Sequence, residues 1–208
     1  MKNIMKQFNW LSEWVMNLFI LQFLWLGGTL IGGVILGLAP ATTALFAYLR
    51  KLKRQETKFS LFQYYVQSYK ENLKNSLVIG FGFLLAGVIG LIYSQFLSQT
   101  TDSWVAYTHI FIYLILFLMG LLLLYIFPVY VHFDLRLRSL LKTTFFIMMT
   151  SMKWNLPLIL TLIATGLIFI RFAVVFLFFG ASVPAFIILA YCMRAFEDFD
   201  LKKQRLTH

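Results

Sequence analysis

Few side chains in this sequence have the chemistry for acid–base catalysis. His109 and His132 are the groups that titrate near neutral pH within the otherwise uncharged run Ser103–Phe133. Each lies towards an end of that run, where a histidine is more often an interfacial polar residue than a proton relay. Cys192 is the single cysteine, so it has neither a disulfide partner nor a companion at metal-ligand spacing.

The carboxylates do not form a catalytic pair either. Glu197, Asp198 and Asp200 cluster beside Lys202 and Lys203, which is typical of a solvated, charged end of the chain. No Ser/His/Asp arrangement, phosphate-binding loop or His–Cys metal spacing is found. We therefore expect a protein that is not an enzyme, with no catalytic residue, cofactor or metal site.

A repeated spacing is more informative. A proline lies ten residues before an arginine three times, in the pairs Pro40–Arg50, Pro128–Arg138 and Pro184–Arg194. Prolines can break membrane helices, and broken helices expose backbone groups that line solute sites. Alternatively, the pattern follows from the frequent occurrence of proline in membrane helices and of arginine at their inner ends.

The uncharged polar residues also have two interpretations. They could bind a neutral solute, or they could bond a neighbouring helix. These residues are Gln22, Thr29, Thr42, Thr43, Gln95, Thr161, Thr165 and Ser182.

Small residues four apart allow helix backbones to approach closely. They favour either a dimer face or packing between helices of one chain. The candidate packing residues are Gly28, Gly32, Gly33, Gly37, Ala86 and Gly90.

The elements that position these residues are long apolar helices. Five runs lack charge, and a helix needs about 20 apolar residues to cross the hydrocarbon core. Hydrophobic residues make up 61% of the chain and charged residues 12%. We predict an all-α, polytopic transmembrane helical bundle in a single domain, residues 1–208. The predicted spans are about 14–38 or 23–48, 76–98, 105–131, 155–170 and 172–193.

The first run, Trp14–Leu49, is too long for one straight span. At 1.5 Å per residue it would reach about 54 Å, against a core of about 30 Å. Gly37 and Pro40 mark the expected break, because proline removes a helix hydrogen bond. Either the span ends near Leu38, or an amphipathic helix comes first and the span is 23–48.

Short amphipathic helices are expected between the spans. Ser60 and Gln63 have capping-box spacing, and apolar residues then recur at helical spacing, so we predict a surface helix over about 59–75. A similar pattern precedes the fourth span, from Leu137 to Met149.

The charges give an expected orientation. With five spans, an external N-terminus and a cytoplasmic C-terminus, every Lys and Arg except Lys2, Lys6 and Arg171 lies on the cytoplasmic side. This bias also accounts for the net charge of +10 without nucleic acid. We therefore expect a multi-pass protein of the cell membrane.

Three blocks carry a resemblance to a known family. They read GLAPATTALFAYLRKLKRQETKFSLFQYYVQSYKENLKNS (37–76), YIFPVYVHFDLRLRSLLKTTFFIMMTSMKWNLPLIL (125–160) and FFGASVPAFIILAYCMRAFEDF (178–199). The chain resembles the YesL-like family of small bacterial membrane proteins. The matching residues are Pro40, Ala41, Thr42, Arg50, Tyr69, Glu71, Asn72, Phe133, Asp134, Leu135, Asn155, Pro157 and Pro184.

The resemblance implies no catalytic residue, since the family's molecular activity is unassigned. It does imply an association with carbohydrate uptake, because members often accompany such systems in Gram-positive bacteria. The candidate structural or functional residues are Pro40, Thr42, Arg50, Glu71, Asn72, Asp134, Arg138, Pro157, Pro184 and Arg194.

We expect an accessory protein that binds a membrane transporter or an envelope protein. It would bind through its basic loops and the small-residue faces of its helices. A homo-oligomer is a further alternative. The alternative is a small transporter or channel for a neutral solute, built on proline-broken helices. The expected surroundings are the lipid bilayer, and no nucleic acid is expected.

Overall fold

The computed structural model describes the backbone of residues 2–54, 60–97, 103–133, 135 and 137–206, and most of the side chains within them. This part of the chain is helical and contains no strand, which confirms the predicted all-α polytopic bundle. The helices are α1 (Lys2–Ile31), α2 (Ile35–Lys53), α3 (Leu61–Leu97), α4 (Ser103–Phe133), α5 (Leu137–Thr150), α6 (Met152–Arg171), α7 (Ala173–Phe179) and α8 (Ser182–Leu206).

Several of these helices are long and apolar enough to cross a membrane. Within the described residues, four pass this test: Ser12–Ile31 of α1, Leu61–Phe96 of α3, Ile110–Phe133 of α4, and α6. A fifth candidate is the pair α7 and α8, bent by 63° at the break between them. Large apolar side chains are exposed along α3, α4 and α6, as expected of helices in contact with lipid.

The first apolar run forms two helices, and its break lies before the predicted position. α1 ends at Ile31 and α2 begins at Ile35. Gly33 and Val34 take positive φ values of 75° and 59°, and glycine adopts this conformation at little cost. Pro40 lies inside α2, so the prediction of a break at Gly37 and Pro40 is wrong.

α1 and α2 form an antiparallel hairpin. A Cβ atom on Gly28 would lie 3.5 Å from the Ala41 Cβ, and Gly32 lies against Gly37 nearer the turn. The indole of Trp25 donates to the Thr42 hydroxyl at 3.2 Å. α2 therefore returns towards the side from which α1 came, so neither predicted first span, 14–38 or 23–48, is a single straight helix.

The direction of α1 is also set by its contacts with the last two helices. Gln22 contacts the beginning of α8 at Ala181 and Ser182, whereas Trp14 packs on Phe186, farther along that helix. α1 and α8 therefore run in opposite directions, and the N-terminal part of α1 lies towards the same end of the bundle as the C-terminal part of α8.

α2 lies at the centre of the bundle, packed against α1, α3, α4 and α8. Ala41, Leu45 and Leu49 on this helix are fully buried. A helix surrounded by protein does not need to be apolar on every face. This is why α2 can run beside α1 and α3 although it is not among the apolar candidates for a span.

The later helices differ from the prediction in two places. The expected surface helix over 59–75 and the second span form one continuous helix, α3, which runs without a break from Leu61 to Leu97. The expected fifth span, 172–193, is interrupted between Phe179 and Ser182. The predicted element before the fourth span is α5.

Candidate functional site

Polar side chains meet where α2, α3 and α4 pack together, and we call this group the polar core. Its first pair joins α2 to α3: the Thr43 and Ser76 hydroxyls lie 2.8 Å apart, and both residues are buried. Thr43 donates its proton to the Ala39 carbonyl at 2.9 Å, so Ser76 is the donor to Thr43. The pair therefore holds two helices together without an unpaired hydroxyl.

A chain of hydrogen bonds joins α3 to α4. Asn75 donates to the Tyr130 hydroxyl at 3.1 Å, and that hydroxyl donates to the Asn72 side-chain oxygen at 2.9 Å. The Asn72 amide then donates to the Ser68 carbonyl at 2.9 Å. Nearby, the Arg50 guanidinium donates to the Val131 carbonyl, so α2, α3 and α4 are tied at the same level of the bundle.

A second buried pair extends the polar core to α5 and α6. The Tyr125 hydroxyl donates to the Asn155 side-chain oxygen at 2.6 Å. The Asn155 amide donates to the Met148 carbonyl at 3.2 Å. Both side chains are buried, so each uses its polar atoms within the protein, as buried polar groups must.

The broken helices are closed by side chains from neighbouring helices. At the α7–α8 break, the Gln22 side-chain oxygen accepts from the backbone N–H groups of Ala181 and Ser182, at 2.8 and 3.1 Å. At the α1–α2 break, the Tyr69 hydroxyl donates to the Gly28 carbonyl at 3.0 Å. These backbone groups at the two breaks are thus already bonded within the protein.

The threonines bond within their own helices. Thr29, Thr42, Thr161 and Thr165 each donate to a backbone carbonyl three or four residues earlier. Ser182 differs, since its hydroxyl is buried and has no hydrogen-bond partner among the described residues.

The prolines do not break the helices in which they lie. Pro40, Pro128 and Pro157 lie inside α2, α4 and α6. Pro184 is in the first turn of α8, where no intrahelical hydrogen bond is lost. The prediction of proline-broken helices is therefore wrong, because the chain breaks several residues before Pro40 and Pro184.

The small residues pack mainly within the chain. A Cβ on Gly28 would lie 3.1 Å from the Tyr65 hydroxyl, and one on Gly37 would meet the Thr29 carbonyl. A Cβ on Gly90 would lie 2.8 Å from Leu116 of α4. A Cβ on Gly33, by contrast, would have open space around it, and this residue instead provides a positive φ in the turn between α1 and α2.

The remaining predicted residues are spread over the molecule. Glu71 is exposed on α3 and accepts from Gln67, and Arg138 is exposed on α5. Asp134, together with the side chain of His109, lies outside the described residues. The sequence did not single out Tyr65, Tyr125 and Tyr130, whose hydroxyls bind Ala41, Asn155 and Asn72.

Comparison with known proteins identifies the family. Residues 18–94 match the family model described as "Protein of unknown function, DUF624". The uncharacterized protein YteU of Bacillus subtilis (strain 168) is 30% identical over 181 residues, which are 86% of this chain and 78% of YteU. The chain belongs to this family.

Two further relatives from the same strain support the assignment. The uncharacterized protein YesL is 28% identical over 202 residues, covering 95% of this chain and 93% of YesL. The uncharacterized protein YesV is 33% identical over 129 residues, 61% of each chain. No solved structure matches the chain.

The stretch matched by the DUF624 model runs from within α1 to near the end of α3. It contains the α1–α2 hairpin and the α2–α3 part of the polar core, including Thr43 and Ser76. In the described part of this DUF624 protein, no cluster of three or more His, Cys, Asp or Glu residues is placed to hold a metal ion.

Apolar grooves open outside the polar core. One of about 420 Å³ lies between α2, α3 and α4, with Gly80 and Thr42 in its wall. A second of about 320 Å³ lies between α3, α4 and α5 and includes Ala86. A third of about 410 Å³ lies between α6 and α8.

Cationic side chains gather at one end of the bundle. The bonds from Arg50 to α4 and from Lys153 to Asp198 of α8 place the ends of α2, α4, α6 and α8 together. We call this end the basic face. Its described cations are Arg50, Lys51, Lys53, Arg54, Lys70, Lys74, Arg138, Lys142, Lys153 and Arg194, whereas Arg171 lies at the opposite end.

Proposed function

We propose that this protein is an accessory membrane protein that binds a second membrane protein through its basic face. The observation that carries the proposal is the closed interior. Gln22 and Tyr69 bond backbone groups at the two helix breaks, and Thr43 bonds Ser76. Gln22, Thr43 and Ser76 hold helices together, and Thr161 and Thr165 bond within α6, while the exposed cations of α5 remain on the surface.

The orientation forms part of the proposal. α1 and α2 make one antiparallel hairpin, so α2 adds a membrane pass to the five apolar candidates. An even number of passes brings both ends of the chain to one side, in place of the external N-terminus expected from five spans. The positive-inside rule makes the side with the basic face cytoplasmic.

The partner class follows from the family resemblance. Association with carbohydrate-uptake systems favours a transporter component for sugars or oligosaccharides, with an envelope protein as the other class. We expect deletion of the gene to slow growth on complex carbohydrates but not on glucose. Equal growth of the deletion strain and its parent on both carbon sources would remove the carbohydrate link.

Site-specific photo-cross-linking tests the binding surface. A photoreactive residue replaces Lys142 on α5, and a matched one replaces Ile170 at the opposite end of the bundle; both positions are exposed. In native membranes we expect a discrete adduct from position 142 and none from 170.

A charge-reversal variant is the second part of the cross-linking experiment. Arg138→Glu, also on α5, is expected to reduce the adduct at position 142 several-fold by repelling an acidic partner surface. Adducts of equal yield from both positions, or none from position 142, would contradict binding at the basic face.

A small transporter or channel for a neutral solute is the second candidate. It is favoured by the buried Ser182 hydroxyl, which has no hydrogen-bond partner in the part of the chain that the structure describes and lies beside Gln22 at the α7–α8 break. Purified protein in liposomes would then move a sugar or osmolyte, and Gln22→Leu would change the rate. Absence of flux across a broad panel of neutral solutes would eliminate this candidate.

A further inference from the structure

The groove between α6 and α8 combines an apolar channel with a cation at one end. Its walls include Ala164, Thr165 and Ile168 on α6 and Phe186, Ala190 and Arg194 on α8. It lies apart from the polar core and from the α5 surface of the proposed partner site. Its contents are therefore a separate question from the identity of a protein partner.

The walls present hydrocarbon to whatever fills the groove. Thr161 donates its hydroxyl proton to the Pro157 carbonyl, and Thr165 donates to the Thr161 carbonyl, each at 2.7 Å. Both threonines have satisfied their hydroxyl donors within α6. Ala164 and Ala190 are small, which leaves space between the two helices.

Arg194 keeps its charge available at the mouth of the groove. Its guanidinium lies 5.2 Å from the Trp154 ring centroid and 5.9 Å from that of Tyr191. The nearby Asp198 carboxylate is bound instead by Lys153 at 2.8 Å and by the Trp154 indole at 2.7 Å. Tryptophan and basic residues mark the level of the lipid headgroups.

The length of the groove matches one leaflet. Phe186 and Arg194 are separated by about 12 Å along α8, at 1.5 Å per residue. Half of the hydrocarbon core is about 15 Å. An acyl chain that begins at the level of Arg194 would therefore follow the groove through most of one leaflet.

We propose that this groove binds an anionic phospholipid, with its phosphate on Arg194 and one acyl chain between α6 and α8. Arginine binds phosphate oxygens through two parallel hydrogen bonds. Lys153, 64% exposed, lies on the same indole, but its charge is balanced by its ion pair with Asp198. The charge of Arg194 is therefore the one that favours an anionic headgroup over a zwitterionic one.

Native mass spectrometry of the purified full chain tests the site. The protein is incubated with equal amounts of phosphatidylglycerol and phosphatidylcholine, and retained lipids are counted. Arg194→Gln should lower phosphatidylglycerol retention about fivefold, the ratio that corresponds to ~1 kcal/mol per basic residue near anionic lipid. Retention of phosphatidylcholine should not change.

Matched variants distinguish lipid binding in the groove from a general attraction of anionic lipid to the positive charge of the protein. Ala164→Phe fills the groove and should reduce both lipids, whereas Ala86→Phe makes the same change in the groove between α3, α4 and α5. Lys142→Gln removes an exposed cation from α5. Both control variants should retain phosphatidylglycerol at the level of the unchanged protein, and thermal midpoints show whether each variant is folded.

Three outcomes would overturn the proposal. The unchanged protein could retain both lipids equally, Lys142→Gln could lose as much phosphatidylglycerol as Arg194→Gln, or inorganic phosphate alone could displace the lipid. The last outcome would indicate a simple anion site without a role for the acyl channel. None of these results depends on whether a protein partner binds α5.

Discussion

Buried hydroxyl and amide groups are the residue-scale determinants of this bundle. Tyr125, Tyr130 and Tyr65 each bring a phenol into the interior and give it an acceptor on another helix. Lipid provides no alternative partner for such groups, so a hydroxyl buried in a membrane helix is stabilised when it bonds within the protein. These bonds select one packing of the helices among several that apolar surfaces alone would allow.

The Tyr125–Asn155 pair gives a measurable coupling. Tyr125→Phe removes the hydroxyl, and Asn155→Leu removes its acceptor, so a double-mutant cycle isolates the bond. We expect a coupling free energy of ~0.6 kcal/mol and at most ~1.7 kcal/mol, the average and the maximum of such cycles between membrane helices. Reversible unfolding in mixed detergent micelles measures it, and additive single effects would show that the bond is not stabilising.

Part of this polar core could be predicted from the sequence. Asn72, Asn155 and Arg50 are polar groups in or beside apolar runs, and each occurs in a block that carried the family resemblance. Their tyrosine partners could not be recognised, because a tyrosine in an apolar run equally fits a lipid-facing or interfacial position. The difference between these positions depends on which neighbour faces the ring, and only the packed helices specify that.

Two breaks determine how the helices are arranged. The α1–α2 break needs Gly33 in the left-handed region and close contact between Gly32 and Gly37. The α7–α8 break needs an acceptor from another helix, which Gln22 provides. Both breaks depend on contacts between helices that are separate in the fold, whereas the presence of long apolar helices depends on composition alone. The sequence therefore predicts the helices well and the location of their breaks poorly.

Gly37→Ala tests the hairpin. A Cβ on Gly37 would clash with the Thr29 carbonyl, a backbone atom that cannot move without shifting α1. We expect destabilisation by ~1 to 3 kcal/mol, the usual cost of overpacking. The measurement is the thermal midpoint of the purified protein in detergent.

Gly82→Ala is the matched control for this experiment. Gly82 lies within α3, and a Cβ there has no atom within 4 Å, so alanine should be neutral or slightly stabilising through its higher helix propensity. A Gly37→Ala protein with the same thermal midpoint as Gly82→Ala would argue against the close hairpin.

At the scale of the whole molecule, charge and helix packing agree on one arrangement. The described cations lie at one end of the bundle, with Arg171 at the other. The sequence alone favoured an external N-terminus, because the first apolar run was counted as one span. In the proposed orientation the hairpin changes that count, because one more pass brings the N-terminus to the side with the basic face. The proposed additional pass rests on the packing of α2 between α1 and α3, since α2 is not apolar enough to be counted.

Cysteine labelling in intact cells distinguishes the two topologies. Cys192 is fully buried and can be replaced by serine to give a cysteine-free background. Arg171→Cys should react with a membrane-impermeant maleimide added outside, because Arg171 is exposed at the end opposite the basic face. Lys142→Cys should react only after the membrane is permeabilised.

Lys6→Cys distinguishes the two topologies. An even number of passes predicts labelling only after permeabilisation, whereas five passes predict labelling in intact cells. Labelling of Lys6→Cys from outside, with Lys142→Cys protected, would show that α2 does not cross the membrane.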